Sequence, residues 1–520
     1  MSADGADYTF ADAPSPEALA KFPLNDFGNA RRLVRLVGGV IEPDGRVNTR
    51  SCQLLYLRER GWIAFNGRYW DLGCGDELAR RWAHRVAEGL IAQGAFTAVT
   101  GKAWTEFVTR SGNAGASSAM LTQAQSYLGA DLADFDTDPL ALNLENGVIR
   151  FRRHRVTKAP IVEFEPRHDP GDRMTRMCAA RWDPKAKRPL FDAHAKFCQP
   201  DADTRHYFHK VFGYTATGVT KEQLFVILQG KGGDGKSTLT NAVRETLGSY
   251  GISASVETFL DTGLKRAGEA SPDLARLAGD TRMISTAEPP RGSKLASSQI
   301  KAFTGGAPIT ARELRQGIFE FSPIGKVVLE CNTRPQINDS DDGIWRRTRI
   351  ILFENQVPKD RIDLDLPDKL KGERSGILNW IAEGVLAWMA EGLKSPPAVL
   401  AALEDYRRGS NVFAEWFAER VVLDARERTL SSEFYRSYKE WCEEEGEAKP
   451  MNATAFGRAL SDLQIVFAGK DRKGKKLRRG GRLKDYRDAP AADGGASDPQ
   501  VSPGGPSAAD RYPDDDWVER

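Results

Sequence analysis

Gly230-Lys231-Gly232-Gly233-Asp234-Gly235-Lys236-Ser237 is the stretch on which the reading of this chain turns. It fits the pattern G-x-x-x-x-G-K-[ST], and its flanks are the ones that pattern needs. The apolar run Leu224–Leu228 before it reads as a buried strand, and Ser237–Leu247 after it reads as a helix. Glycines let successive backbone N–H groups close around a phosphate chain. Lys236 meets the charge of the outer phosphates, and the Ser237 hydroxyl completes the shell of a Mg²⁺ ion. The helix N-terminus adds its partial positive charge, with Thr238 next along the same turn. A chain with 49 glycines can match such a loop by accident. A match set between an apolar strand and a helix is much harder to reach by accident, so ATP and Mg²⁺ are the expected ligands.

The loop alone does not separate kinases, GTPases, motors and switches. The residues that follow narrow the choice. Arg282-Met-Ile-Ser-Thr-Ala-Glu288 reads as a strand ending in a carboxylate, which could hold Mg²⁺ indirectly or polarise an attacking water. Lys326-Val-Val-Leu-Glu-Cys-Asn332 reads as another strand, ending in an amide suited to sensing a γ-phosphate. Asp341-Asp-Gly-Ile-Trp-Arg346-Arg347 then offers paired guanidiniums outside any obvious strand. An arginine so placed can reach the γ-phosphate held by a neighbouring subunit.

At 520 residues, 40% hydrophobic and 28% charged, the chain has the make-up of a globular protein with several domains. No stretch approaches the ~20 apolar residues of a membrane span. Met1–Asp7 lacks the basic flank and apolar core of a signal peptide. Six cysteines stand singly, without a Cys-x-x-Cys pair, which argues against disulfide frameworks and zinc ribbons. A cytoplasmic protein without membrane contact is expected. The pattern divides into a disordered 1–22, an accessory unit 23–115, a second unit 116–216, the loop-bearing unit 217–395, a unit 398–484 beginning after Pro396-Pro397, and a disordered tail 485–520. Within these, Trp62–Trp70 reads as a hairpin turning at Asn66-Gly67, and Leu142–Phe151 as strand-like. Ile377–Leu393 reads as a helix with a core stripe.

Taken together, these segments resemble the superfamily 3 helicases of phage and plasmid primase proteins, relatives of the poxvirus primase-helicase. The resemblance rests on Gly230–Thr238, Arg282–Glu288, Thr304–Arg312 with upstream Lys301, Lys326–Asn332 with Pro335, and Gly343–Arg347. Upstream, Asp26–Leu33, Asn143–Val148 and the helical stretch ending at Gly213-Tyr214 look like the domain preceding such a core. The likeness implies an α/β P-loop AAA+ fold, a hexameric ring hydrolysing ATP between subunits, and 3′ to 5′ movement on single-stranded DNA. It implies that Lys236 and Ser237 bind phosphate and Mg²⁺, that Glu288 activates water, and that Asn332 senses. Arg346 or Arg347 would be the finger acting across the interface. Lys301 and Arg312 would face DNA in the central channel, although Ala307 stands where an Asp is usual. A bacterial host is implied by the same likeness. The strand carrying Glu288 has a single acid, which shifts weight for Mg²⁺ onto Ser237.

Between Lys470 and Lys484 lie nine Lys or Arg residues and one acid, Asp471. Three helices at Asn411–Val421, Ser431–Glu444 and Ala453–Leu463 followed by this basic segment have the outline of a winged helix. Lys473, Lys475, Lys476, Arg478 and Arg479 would neutralise phosphates, independently of base sequence. Arg458 is the one cation of the helix placed to enter a groove, which favours backbone binding to single-stranded or duplex origin DNA. No Asp-x-Asp pair sits in a plausible polymerase context, so a separate primase is the expected partner. His206 and His209 read as ordinary helix surface. A DNA-binding switch or loader without processive unwinding shares every one of these features and is the alternative.

Overall fold

The computed structural model describes residues 14–99, 101–261, 263, 272–312, 318–337, 342–358, 360, 362–410, 412–444 and 450–484. Two compact units divide at Asn411/Val412. The expected tail 485–520 lies outside the described residues.

The first unit begins with a helix, Pro16–Ala20, capped by Ser15, with Leu19 buried. Residues 14–22 therefore depart from the disorder expected over 1–22, and the rest of that span lies outside the described residues. Helix Asp26–Leu36 starts at Asn25, whose side chain accepts from the Gly28 amide at 2.8 Å. A four-stranded sheet follows, in the order Trp70–Asp71, Gly61–Phe65, Leu54–Leu57, Gly129–Ala130. The Asn66-Gly67 turn is present: Asn66 Oδ1 accepts from the Arg68 and Tyr69 amides, and Gly67 has φ +90°. The expected break at 115/116 is not a boundary. Met120, Ala124 and Leu128 share one buried core with Leu33, Trp62 and Trp82.

Leu142–Phe151 is a hairpin rather than one strand. Ala141–Leu144 pairs antiparallel with Gly147–Arg153, which pairs with Pro160–Glu165. Glu145-Asn146 turns the chain there, and Gly147, paired with Leu144, is positioned so that a Cβ would sit 2.2 Å from the Glu165 carbonyl oxygen.

A five-stranded parallel sheet forms the centre. Its order is Gly251–Ala254, Met283–Thr286, Lys326–Cys331, Phe225–Gly230, Thr348–Phe353. The three middle strands are buried on both faces, which explains their near-continuous apolar runs. One face is covered by helices Lys236–Thr246, Ala202–Thr215 and Arg374–Glu391. The last two approach so closely that a Cβ on Gly213 would lie 2.2 Å from the Gly384 carbonyl carbon. Ile377, Trp380, Ile381, Val385 and Trp388 are all buried, as the stripe requires. His209 departs from the surface reading: its ring stacks on Trp380, centroids 4.5 Å apart. His206 is exposed and meets Glu391 at 2.8 Å.

Residues 116–216 are not an independent layer, and Arg282 shows why. Its guanidinium is fully buried, bonded twice to Asp280 at 2.7 Å. It also donates to the carbonyls of Ala141 and Ala216 at 2.7 and 3.1 Å, and lies over the Tyr250 ring. One side chain thus ties the hairpin, the end of helix Ala202–Thr215 and the parallel sheet together. The break expected after 395 also moves. Helix Pro397–Gly409 packs on the sheet unit through Tyr406, whose ring meets Trp345 edge-on and whose hydroxyl donates to the Pro335 carbonyl.

Asp136 borders the same buried network and accepts from the Thr175 amide at 2.8 Å. Desolvation first, and then the charge of Asp280, raise its pKa from 3.8 to about 6. Because the folded value lies above the unfolded one, the stability it contributes is complete below about pH 4 and is lost as pH rises to about 6. Urea midpoints measured across that window should fall in wild type more than in Asp136→Asn. Parallel curves would contradict the assignment.

The second unit has helices Val412–Arg420, Ser431–Glu444 and Ala453–Asp462. Its antiparallel sheet runs in the order Val421–Leu430, Lys476–Leu483, Val466–Lys470. The first of these strands, between the helices, was not anticipated from sequence. An aromatic core of Trp416, Phe434, Tyr438 and Phe456 holds the unit together, with the last two rings stacked at 5.0 Å. Among the described residues, no helix is long and apolar enough to cross a membrane.

Candidate functional site

The carboxyl ends of the three middle strands converge on one open cleft of about 420 Å³. Its walls are residues Gly232–Thr238, Ala287, Glu288, Glu330 and Asn332. Such crevices at strand ends are where open parallel sheets take ligands. The loop itself needs its glycines. Gly232, Gly233 and Gly235 have φ of +84°, +64° and +79°, a region that L side chains avoid. A Cβ on Gly235 would also lie 2.7 Å from both His194 and Cys198.

Those two residues come from helix Pro189–Cys198 and brace the loop from behind. His194 Nε2 donates to the Gly235 carbonyl at 3.2 Å, which fixes the Nε2–H tautomer. Burial holds its pKa below the usual value. Cys198 Sγ donates to the Asp234 carbonyl at 3.3 Å. Burial, then the Asp234 charge, push its thiol up to about 12, so it packs rather than reacts. Neither brace was found from sequence, because no spacing rule links residues 194 and 198 to 235.

Inside the cleft, Lys236 Nζ meets the Asp234 carboxylate at 3.0 Å and donates to Asn332 Oδ1 at 2.9 Å. Asp234 is itself buried and accepts from the Gly232 and Lys236 amides. Asn332 has a second role. Its backbone N–H and its Nδ2 donate to the Glu288 carboxylate at 3.0 and 2.7 Å. Asn332 thus bridges the ammonium and the carboxylate, two groups that the sequence separates by 52 positions (288 − 236). The Ser237 hydroxyl donates to Glu330, a residue that the sequence reading placed in a strand and passed over. Lys231 and Thr238 flank the loop, with Thr238 in the cleft wall.

Ser237, Glu288 and Glu330 offer hard oxygen donors, the chemistry that Mg²⁺ prefers. Among the described residues, no group of three or more His, Cys, Asp or Glu is arranged to hold a metal unaided. An ion here would need ligand oxygens and water to complete its shell.

The other expected residues lie apart from the cleft. Arg346 is exposed, whereas Arg347 is buried and donates to the Gly343 carbonyl at 2.6 Å. Lys301 is half-buried on helix Ser297–Thr304. Arg312 is exposed at the end of Ile309–Arg312, which pairs antiparallel with Ile318–Phe321. In the second unit Arg458, Lys473, Lys475, Lys476 and Arg479 are exposed. Arg478 is the correction. It turns inward, donating to Ser461 Oγ at 3.1 Å and the Ile465 carbonyl at 2.8 Å, and so fastens the strands to helix Ala453–Asp462.

This architecture defines a mixed α/β protein with a parallel sheet and a polar, glycine-framed cleft at its strand ends. Residues 34–200 match the family described as "D5 N terminal like". A "Putative helicase" of Acanthamoeba polyphaga mimivirus is 28% identical over 277 residues, which are 50% of this chain and 29% of that protein. A "Putative primase" of African swine fever virus is 24% identical over 331 residues, 59% of this chain and 33% of that protein. The chain is thus similar, over part of its length, to viral proteins named as helicases and primases. It spans about a third or less of the length of these curated relatives. The apo C-terminal region of NrS-1 overlays 64% of this chain and 95% of its own, at 11% identity and a TM-score of 0.38.

Proposed function

We propose that the chain is an ATP-driven DNA helicase or translocase of superfamily 3, acting in replication of a phage, prophage or plasmid as a hexameric ring on single-stranded DNA. The single observation that carries this reading is the convergence of Lys236, Ser237, Glu288 and Asn332 on one cleft at the strand ends. In this reading the sheet is a P-loop AAA+ core, because the loop strand lies between the strand ending at Asn332 and Thr348–Phe353.

ATP would place its outer phosphates against the loop amides and the Lys236 ammonium, displacing the Asp234 contact. Bound Mg²⁺ would supply charge neutralisation at the phosphates. Glu288, oriented by two hydrogen bonds from Asn332, is the base that takes a proton from the attacking water. Asn332 also touches Lys236, so a change at the phosphates reaches the base through one side chain. Arg346, exposed beyond the cleft, would reach the γ-phosphate of the adjacent subunit. Lys301 and Arg312 would face the strand in the channel. The second unit, with helix, strand, two helices and a basic two-stranded ribbon, is read as a winged helix binding phosphates through Lys473, Lys475, Lys476 and Arg479. A separate primase would be its partner in replication.

The test is ATP hydrolysis with and without single-stranded DNA. Wild type should be stimulated by DNA, and Lys236→Ala should lose about 100- to 1,000-fold of the rate, the range for one preorganised donor. ATP-dependent DNA binding without strand displacement would instead establish a switch or loader. Absence of nucleotide binding would overturn both.

A further inference from the structure

The strand Met283–Thr286 leads to Ala287 and Glu288, so the position next to the base carries a methyl group and no oxygen donor. Ala287 nonetheless lines the cleft. The neighbouring strand Lys326–Cys331 compensates. Its Glu330 pairs in register with Leu228 of the loop strand, and its carboxylate enters the cleft and accepts the Ser237 O–H. Among the described residues Glu330 has no ion-pair partner and no donor but Ser237. A carboxylate so placed, beside a loop shaped for phosphates, repels an incoming anion unless a cation comes between them.

We propose that Glu330 is the metal-positioning residue of this site, acting through Ser237. By accepting the Ser237 hydrogen bond it turns the hydroxyl lone pairs toward the divalent cation, a support that Ala287 cannot supply. Glu288 remains free for water activation, because two carboxylates from adjacent strands divide the tasks of base and metal support. Asp234 does not serve in place of Glu330, since its buried carboxylate is already engaged by the Lys236 ammonium and by the Gly232 and Lys236 amides. The inference rests on the nucleotide reading above and assigns the Mg²⁺ requirement of that same cleft to a particular side chain.

The experiment is a Mg²⁺ titration of binding by a fluorescent ADP derivative, beside binding of the same probe in EDTA. Glu330→Gln keeps the size and exposure of the side chain, and binding in EDTA at or above the wild-type level reports an intact loop, because the carboxylate that repels the anion is gone. The variant should need about 10- to 100-fold more Mg²⁺ for half-saturation, the range for losing an outer-shell partner of a metal ligand. Because Glu330 acts through Ser237, the double variant Ser237→Ala/Glu330→Gln should be no worse than Ser237→Ala alone. A Glu330→Gln titration superimposed on wild type overturns the assignment and leaves the nucleotide site standing. Additive single effects overturn the route through Ser237. A wild type that binds no probe at all removes the nucleotide reading, and this inference with it.

Discussion

Replacing Arg346 by alanine should lower DNA-stimulated ATP hydrolysis by about 10³- to 10⁵-fold, the range for an arginine that stabilises transferring phosphate charge from outside the loop. The same change should leave the urea midpoint where it is, because Arg346 is exposed. Arg347→Ala should do the reverse. Arg347 is buried, and its backbone carbonyl accepts from the Phe225 amide at the start of the loop strand. Losing its bond to Gly343 costs about 1.5–3 kcal/mol, the range for a hydrogen bond to a charged group. Mixed assemblies separate an arginine acting across an interface from one acting within its own subunit. If Arg346→Ala subunits are added to wild type, hydrolysis should fall below the dilution line. A strictly proportional fall would place the arginine in its own subunit's chemistry and remove the shared-site ring from the proposal.

The second large effect is on folding. Arg282→Met should destabilise the first unit by about 3–5 kcal/mol, because Asp280 is left charged and buried without its partner. Urea denaturation followed by near-ultraviolet circular dichroism would read it, since Tyr250 lies against the guanidinium. The double variant Asp280→Leu/Arg282→Met should recover part of that loss, as replacing a whole buried pair costs less than breaking one. The carbonyls of Ala141 and Ala216 lose their donor in both variants, so recovery should be incomplete. Arg282→Met with an unchanged midpoint would show that the hairpin and the sheet are held by apolar packing alone.

The candidate site was legible wherever a local rule applied. The glycines of the loop, the strand before it and the helix after it follow from sequence because their constraint is backbone conformation over eight residues. Glu288 and Asn332 were legible as polar residues ending apolar runs, since a strand buried on both faces is mostly apolar until it ends. Glu330 was not, because within Val327–Asn332 it reads as one more strand residue. Only the register that sets Glu330 beside Leu228 aims it at Ser237. The Leu142–Phe151 reading missed the turn at Glu145-Asn146 and took two short strands for one. The strand Val421–Leu430 escaped because its charged, mostly exposed residues carry no apolar alternation.

Sequence by itself determined the apolar strand before the loop, the glycine loop, the helix after it and the polar residues ending the apolar runs, because each depends on neighbours within one turn or one strand. Tertiary structure alone decided which of two adjacent arginines is exposed. It also decided that Asn332 joins Lys236 to Glu288, that Arg478 faces inward, and that residues 116–216 are fastened to the sheet through Arg282. Each of these depends on packing that the immediate neighbours in the chain do not set, and its energy comes from burial and from satisfying charge, which local sequence pattern does not encode.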